Sequence, residues 1–223
     1  MLYIVSTPIG NLKDITYRAV EVLKAVDIIA AEDTRHSKKL LNAYDIDTPL
    51  TSYFDHSKKS KLDAIINKMR EGQDVALVSD AGTPGINDPG YKLINAAYDN
   101  DIEVTVVPGA TAVISALSLS GLPTDRFTFE GFFPVKSGGR RRRLEALKDE
   151  ERTIVFYESP YRIVKALKDI EEVLGDPVVC VVREITKKFE EVKKDKASVV
   201  FDYFSQKKPK GEFVVVFNLR IER

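Results

Sequence analysis

The run Leu2-Tyr3-Ile4-Val5-Ser6-Thr7-Pro8-Ile9-Gly10-Asn11 places four apolar residues directly before a polar, turn-forming loop. The pattern recurs at Asp27-Ile28-Ile29-Ala30-Ala31, which ends in Glu32-Asp33-Thr34-Arg35. Short apolar runs separated by a helical segment are typical of parallel strands in an α/β sheet. Ligands of such sheets bind beyond the carboxyl ends of the strands. The two polar loops therefore predict a functional site at that edge of the sheet.

The alternation of apolar runs with helical segments continues along the first half of the chain. It predicts strands at 2–7, 27–31, 49–53, 74–79 and 102–107 and helices at 15–26, 60–71 and 111–120. The segment Gly121-Leu122-Pro123-Thr124-Asp125 breaks the pattern, which predicts two domains, residues 1–120 and 121–223. In the second domain we expect strands near 126–133, 152–157, 177–184 and 212–221 and helices near 140–149, 160–174 and 197–207.

Composition excludes several classes of protein. The chain carries 34 basic and 34 acidic residues, and this zero net charge argues mildly against a general nucleic-acid coat. No apolar run reaches the roughly 18 residues that a membrane helix needs, so no membrane association is expected. The single cysteine, Cys180, lies within an apolar run, and the first residues enter a strand without a basic leader. Both features predict a cytoplasmic protein with a buried thiol.

Two further loops join predicted strands to helices, at Ser79-Asp80-Ala81-Gly82-Thr83-Pro84-Gly85 and at Val107-Pro108-Gly109-Ala110-Thr111. Glycine permits positive φ and close approach of the backbone to a ligand. Four polar loops at one sheet edge therefore predict a small-molecule pocket. Neither G-x-G-x-x-G nor G-x-x-x-x-G-K-[ST] occurs, which disfavours a standard dinucleotide or phosphate loop. The two histidines, His36 and His56, lack metal-ligand spacing, so no metal is expected.

These motifs carry a family resemblance. Thr7-Pro8-Ile9-Gly10-Asn11-Leu12, Glu32-Asp33-Thr34-Arg35, Ser79-Asp80-Ala81-Gly82-Thr83-Pro84, Asp88-Pro89-Gly90 and Pro108-Gly109 resemble, in order, the motif series of the tetrapyrrole methylase superfamily. They are most similar to its branch of ribosomal small-subunit RNA 2′-O-methyltransferases. Phe156-Tyr157-Glu158-Ser159-Pro160, Arg183-Glu184-Ile185-Thr186-Lys187 and Lys210-Gly211-Glu212-Phe213-Val214 extend the similarity into the second half. The chain departs from the branch at Tyr161, where histidine usually precedes the arginine.

The resemblance implies two α/β domains that bind S-adenosylmethionine in the cleft between them, without metal. It implies a homodimer that methylates a cytidine ribose of small-subunit ribosomal RNA, free or in the assembled subunit. The cofactor contacts that it implies are Pro8, Ile9, Asp80, Gly82, Thr83, Ile86, Thr111, Ala112, Tyr157, Glu212 and Phe213.

The implied reaction requires few catalytic groups from the protein. A sulfonium methyl is activated, so holding the attacking hydroxyl about 3–3.5 Å away supplies most of the acceleration. A general base would add roughly 10²–10⁴-fold. The candidates for this base are Glu32, Asp33 and Asp80, and His56 ranks below them. For Asp33, capping the helix that begins near Thr34 is an equally good interpretation.

The candidate substrate contacts are basic residues: Arg18, Arg35, His56, Arg140, Arg141 and Arg162. The run Arg140–Arg143 follows a glycine loop and is expected to reach phosphates, although such runs most often form solvated faces. Surface or interdomain salt bridges are the alternative for the other arginines. Three functions therefore stay open at this point. They are an RNA ribose methyltransferase, a tetrapyrrole methyltransferase of the same superfamily, and a non-enzymatic nucleotide-binding or RNA-binding module.

Overall fold

The structure is a computed structural model that describes residues 1–54, 59–88, 90–206 and 208–221. His56, a candidate substrate contact, lies outside the described residues. The chain forms two compact units, Met1–Thr111 and Ala112–Arg223. Each unit contains one five-stranded sheet with helices, so the predicted class of two α/β domains is confirmed.

The first unit is built on a parallel sheet. Its strands are β1 (Leu2–Val5), β2 (Ile28–Ala31), β3 (Leu50–Ser52), β4 (Val75–Val78) and β5 (Val104–Val107), in the order β3-β2-β4-β1-β5. Every neighbouring pair is parallel. Its helices are α1 (Tyr17–Ala25), α2 (Thr34–Ala43), α3 (Lys59–Arg70) and α4 (Gly90–Tyr98), with a short 3-10 helix at Leu12–Asp14. The carboxyl ends of all five strands therefore lie at one edge.

Alternation along the central strand β4 explains why helices cover both faces of this sheet. Val75 and Leu77 belong to a core that includes residues of α3 and α4. Ala76 and Val78 belong to a second core that includes residues of α1 and α2. Successive strand residues point to opposite faces, so a strand that is apolar throughout must be covered on both.

The second unit is built on a mixed sheet. It contains α5 (Ala112–Ser120), β6 (Phe127–Phe132), α6 (Ser137–Glu145), β7 (Thr153–Glu158), α7 (Ile163–Leu174), β8 (Val178–Arg183), β9 (Glu191–Lys196), α8 (Ala197–Ser205) and β10 (Phe213–Phe217). The strand order is β6-β7-β10-β8-β9, and only β6 and β7 pair in parallel. Cys180 is buried in β8, as its apolar neighbours predicted.

Two features of the second unit differ from the sequence expectations. The units divide after Thr111, nine residues before the boundary expected at residue 120. The reason is that α5 packs against β7, β8 and β10 and buries Val113, Ala116 and Leu117. Strand β9 was not predicted, because its sequence Glu-Val-Lys-Lys-Asp-Lys has the composition of a solvated segment. Within the described part of the chain, no helix has the length and apolar character needed to cross a bilayer.

Candidate functional site

The loops after β1 and β4 are joined directly at the carboxyl edge of the first sheet. Thr7 N–H donates to the Gly82 carbonyl at 2.9 Å, and Gly82 N–H donates to the Thr7 carbonyl at 3.1 Å. This pair is an antiparallel bridge outside the named strands. Two of the four polar loops predicted from the sequence are therefore held in a fixed relation by their backbones.

Hydrogen bonds of two hydroxyl groups connect the loop after β5 to the loops after β1 and β4. Thr83 Oγ1 donates to the Ala110 carbonyl at 3.3 Å and lies 2.9 Å from Ser6 Oγ. A hydroxyl carries a single proton, so the Thr83 proton is used on Ala110 and the Ser6 hydroxyl is the donor to Thr83. Three loops thus share one hydrogen-bonded network. Ser6 was not among the predicted site residues, although it stands within the quoted opening loop.

Two glycines allow these loops to approach so closely. Gly82 has φ +85°, and a Cβ there would lie 3.3 Å from Ile9 Cγ2. A Cβ on Gly109 would lie 2.9 Å from the Ser6 Cβ, a separation that real Cβ atoms essentially never show. A side chain at residue 109 would therefore push the loops after β1 and β5 apart. The geometry therefore shows that these glycines permit close approach between loops. Their expected role in close approach to a ligand stays a prediction.

The loop after β2 is anchored by Asp80. Asp33 N–H donates to Asp80 Oδ1 at 3.0 Å, which links the Glu32–Arg35 loop to the loop after β4. No donor from the described residues reaches Asp80 Oδ2 within hydrogen-bond distance. Glu32 is half-buried at the end of β2, in the same loop. Two of the three catalytic candidates, Asp33 and Asp80, are thus joined by a hydrogen bond, with Glu32 adjacent in the chain.

Asp33 acts as a helix cap in this structure. It is the N-cap of α2, and its Oδ1 accepts from Arg35 N–H at 2.8 Å. The Arg35 side chain also donates to both oxygens, at 3.2 and 2.9 Å. Hydrogen bonds from the Arg35 side chain and backbone lower the pKa of Asp33 to about 2. A carboxylate with so low a pKa is a poor proton acceptor near neutral pH, so the geometry favours capping over catalysis.

The other residues expected at this edge are more exposed. Pro8 is half-buried, and Ile86 is 47% exposed in the loop after β4. Thr111 is half-buried where the first unit ends, and Ala112 begins α5. Arg35 is exposed and its side chain is held by Asp33. Arg18 is exposed on α1, and its guanidinium donates to the Val106 carbonyl of the edge strand β5 at 3.0 Å.

In the second unit the expected cofactor residues have different environments. Tyr157, in β7, packs edge-on against Phe129 with ring centroids 4.9 Å apart. Glu212 is exposed and pairs with Lys187 at 2.8 Å. Phe213 is 2% exposed and belongs to the core of this unit, in T-shaped contact with Phe204. Because its side chain packs in the core, only the backbone of Phe213 could contact a ligand.

Most of the candidate arginines of the second unit form ion pairs within that unit. Arg162 pairs with Glu158, whose side chain is fully buried, at 2.6 Å. Arg140 is 2% exposed and pairs with Asp169, and Arg141 pairs with both Asp169 and Glu172. The expectation that Arg140 reaches phosphates is therefore wrong, because its guanidinium is enclosed between α6 and α7. Glu158 ends strand β7 and Arg162 is the N-cap of α7, so their ion pair could not be read from helical spacing. The sequence singled out Glu158 only as part of the Phe156–Pro160 motif.

Comparison with known proteins bears on what this edge does. The family model described as Tetrapyrrole (Corrin/Porphyrin) Methylases matches residues 1–200. This chain belongs to that family. Two relatives, each named "Ribosomal RNA small subunit methyltransferase I", come from Synechocystis sp. and Thermotoga maritima. The first is 50% identical over 97% of this chain and 78% of its own length, and the second is 48% identical over 97% of both.

The fold comparison agrees with the family. The crystal structure of a cobalt precorrin-4 methyltransferase, a cobalamin biosynthetic enzyme, aligns with a TM-score of 0.71. That alignment covers 100% of this chain and 96% of the other, at 19% identity, so it supports the fold alone. Membership and relatives together make the chain a methyltransferase. Among the residues that the structure describes, no group of three His, Cys, Asp or Glu side chains could hold a metal ion.

Proposed function

We propose that this methyltransferase transfers the methyl group of S-adenosylmethionine to the 2′-hydroxyl of a cytidine in small-subunit ribosomal RNA. The observation that carries the proposal is near-full-length similarity, at about half identity, to relatives with a ribosomal RNA methyltransferase name. Similarity to the tetrapyrrole enzyme is confined to the fold. A tetrapyrrole acceptor, the alternative, is correspondingly less supported.

The strand-end loops of the first unit fit the proposed cofactor. Asp80 retains a carboxylate oxygen that can accept hydrogen bonds from an ammonium or ribose hydroxyl group. Ile86, half-exposed in the same loop, offers an apolar surface for an adenine ring. Gly82 and Gly109 bring backbone groups close to the edge without side chains in the way. We propose that Pro8, Ile9, Thr83, Thr111 and Ala112 line the same region, and that Tyr157 and Glu212 contribute from the second unit.

Glu32 is the proposed general base. S-Adenosylmethionine would supply an activated methyl group, and the loops of the site would hold the ribose 2′-hydroxyl in line with it for transfer. The carboxylate of Glu32 takes the 2′-hydroxyl proton in that step. Asp33 is occupied by its own helix and Arg35, and Asp80 Oδ1 is occupied by the Asp33 amide. The lowered pKa of Asp33 makes it a poor proton acceptor. We therefore propose Glu32, which is half-buried in the same loop, ahead of Asp80, which is assigned to the cofactor.

The reaction is proposed to occur in the cytoplasm, on free RNA or the assembled subunit, in a homodimeric enzyme. A buried thiol in β8 agrees with a reducing compartment.

The test uses purified protein, methyl-labelled cofactor, and small subunits from a strain that lacks the corresponding gene. We expect label in one ribose of the small-subunit RNA, mapped by resistance of the adjacent phosphodiester to alkali. Binding of the cofactor by calorimetry should be the same with a chelator present. Labelling of a uroporphyrinogen-type tetrapyrrole instead of RNA would favour the alternative function. Loss of cofactor binding with the chelator would contradict the metal-free site.

A further inference from the structure

The end of strand β6 presents an aromatic ring to solvent. The pairing of β6 with β7 shifts register between Phe129 and Phe132, and Gly131 in between has φ +62°. A glycine in this conformation is the usual means of building a bulge that redirects the next side chain. Phe132 follows the bulge and is 50% exposed. The ring is thus placed at the surface by a specific backbone feature.

A guanidinium held by a buried carboxylate lies over this ring. Arg162 Cζ is 5.8 Å from the Phe132 centroid, within cation–π distance. Arg162 Nε donates to Glu158 Oε1 at 2.7 Å, and Nη1 donates to the Phe133 carbonyl at 3.4 Å. The Glu158 side chain is fully buried. The cation therefore cannot move away from the ring without breaking a buried ion pair.

One further aromatic ring contacts this pair, and a second aromatic residue is adjacent to Arg162 in the chain. The Tyr157 ring lies 5.7 Å from Phe132, in tilted contact. Tyr161 directly precedes Arg162 and is 83% exposed. It stands where the sequence departs from the histidine of the family branch. We use the name β6 platform for Phe132, Tyr161 and Arg162.

The chemistry of the β6 platform matches one kind of ligand. Unstacked bases of single-stranded RNA are recognised by stacking on aromatic rings and on arginine planes. Stacking accepts any base, because each has a π face. A buried apolar function does not fit a tyrosine that is 83% exposed. We propose that the β6 platform stacks an unpaired nucleobase of the RNA substrate. This inference rests on the proposed function.

The test is RNA binding by alanine variants of the platform. Phe132→Ala and Tyr161→Ala should each weaken binding to small-subunit RNA by about 5- to 150-fold, the usual effect of losing one stacked base. Phe132→Trp should retain wild-type affinity. Cofactor affinity should be unchanged in Tyr161→Ala. It is measured for both Phe132 variants as well, because Phe132 contacts the proposed cofactor residue Tyr157. Tyr98→Ala is the matched control, since Tyr98 is an exposed aromatic on α4 of the first unit.

Salt dependence separates stacking from charge. A lost phosphate contact lowers the slope of log K against log salt by about 0.7 on single strands. The aromatic variants should weaken binding with the slope unchanged. Affinities within twofold of wild type for both alanine variants would overturn the proposal. So would a change from dimer to monomer in light scattering that accounts for the loss, because the surface would then be a contact between two copies of the chain. Tyr161→Ala keeps the test sharp if Phe132→Ala folds poorly. Failure of the wild-type protein to methylate RNA at all would instead reject the proposed function.

Discussion

The buried ion pair between Arg140 and Asp169 gives the second unit a specific weakness. The Asp169 carboxylate accepts hydrogen bonds from Ser137 Oγ at 3.0 Å, Arg140 Nε at 2.7 Å and Arg141 Nη1 at 3.1 Å. The side chains of Arg140 and Asp169 are 2% and 7% exposed. Water therefore cannot replace the carboxylate if it is removed.

We predict that Asp169→Asn destabilises the protein by about 3–5 kcal/mol, because it leaves the Arg140 guanidinium buried without a counter-charge. For a urea dependence of about 2 kcal/mol per molar, the unfolding midpoint of this unit should fall by roughly 1.5–2.5 M. The double variant Arg140→Met with Asp169→Leu removes both charges and should recover most of the loss, since an apolar pair of similar volume is often as stable as a buried ion pair.

The assay is urea unfolding followed by circular dichroism and tyrosine fluorescence. Glu172→Gln is the matched control, because Glu172 also pairs with Arg141 and both side chains are about two-fifths exposed, at 42% and 41%. Water screens a pair with this exposure, so its loss should change the free energy of unfolding much less than the loss of the buried pair. The reasoning would be refuted if Asp169→Asn shifted the midpoint no more than Glu172→Gln does. It would also be refuted if the double variant were less stable than Asp169→Asn.

Four further predictions follow from the site and its surroundings. Glu32→Gln should lower turnover by about 10²–10⁴-fold with unchanged RNA and cofactor affinity; full activity would point to Asp80. Arg142 is exposed and forms no ion pair within the described residues, so Arg142→Ala should lower the RNA salt slope by about 0.7; an unchanged slope would make the arginine run a solvated face. The pKa of Asp33 is lowered from 3.8 to about 2, so its share of stability is present above pH 3.8 and is lost as pH falls through about 2; carboxyl-carbon NMR should show this titration, and Arg35→Ala should return it toward 3.8. Ile114 and Leu119 of α5 stay exposed, and we expect a homodimer of twice 25.0 kDa in light scattering; a monomer at micromolar concentration would contradict this.

The sequence was sufficient to predict the parallel sheet, because its inner strands are apolar on both faces. Val75–Val78 is buried throughout, and a run of that kind has few alternatives to a central strand. The edge strand β9 could not be predicted in the same way. Its pairing with β8 satisfies backbone groups, while its Glu, Lys and Asp side chains resemble those of a loop. The unit boundary was misplaced for a related reason, since turn residues after α5 mark the end of a helix but not the sheet that the helix covers.

The loops of the site could be located from sequence, but the roles of their charged residues could not. Asp33 and Glu32 are adjacent carboxylates with the same intrinsic chemistry. Only the structure shows that Asp33 is held by Arg35 and that its amide is held by Asp80. In the arginine run, position alone gives no reason to separate Arg140 from Arg142. The distinction comes from Asp169, which lies on another helix.

In both units, the ion-pair partner of a charged side chain therefore limits which role that side chain can have. A charged side chain whose partner is a neighbouring group of the same fold has its hydrogen-bonding capacity and its pKa fixed before any substrate arrives, as with Asp33. Such a residue can position others but is a poor proton acceptor or phosphate ligand. Arg162 illustrates the consequence, since its ion pair with Glu158 occupies the N–H groups at one edge of the guanidinium. In the proposed complex its flat face, beside Phe132, is the part that contacts RNA. Arg162→Lys would keep the charge and lose that plane. If RNA affinity in this variant fell while the salt slope stayed constant, the contribution of Arg162 would be its shape rather than its charge.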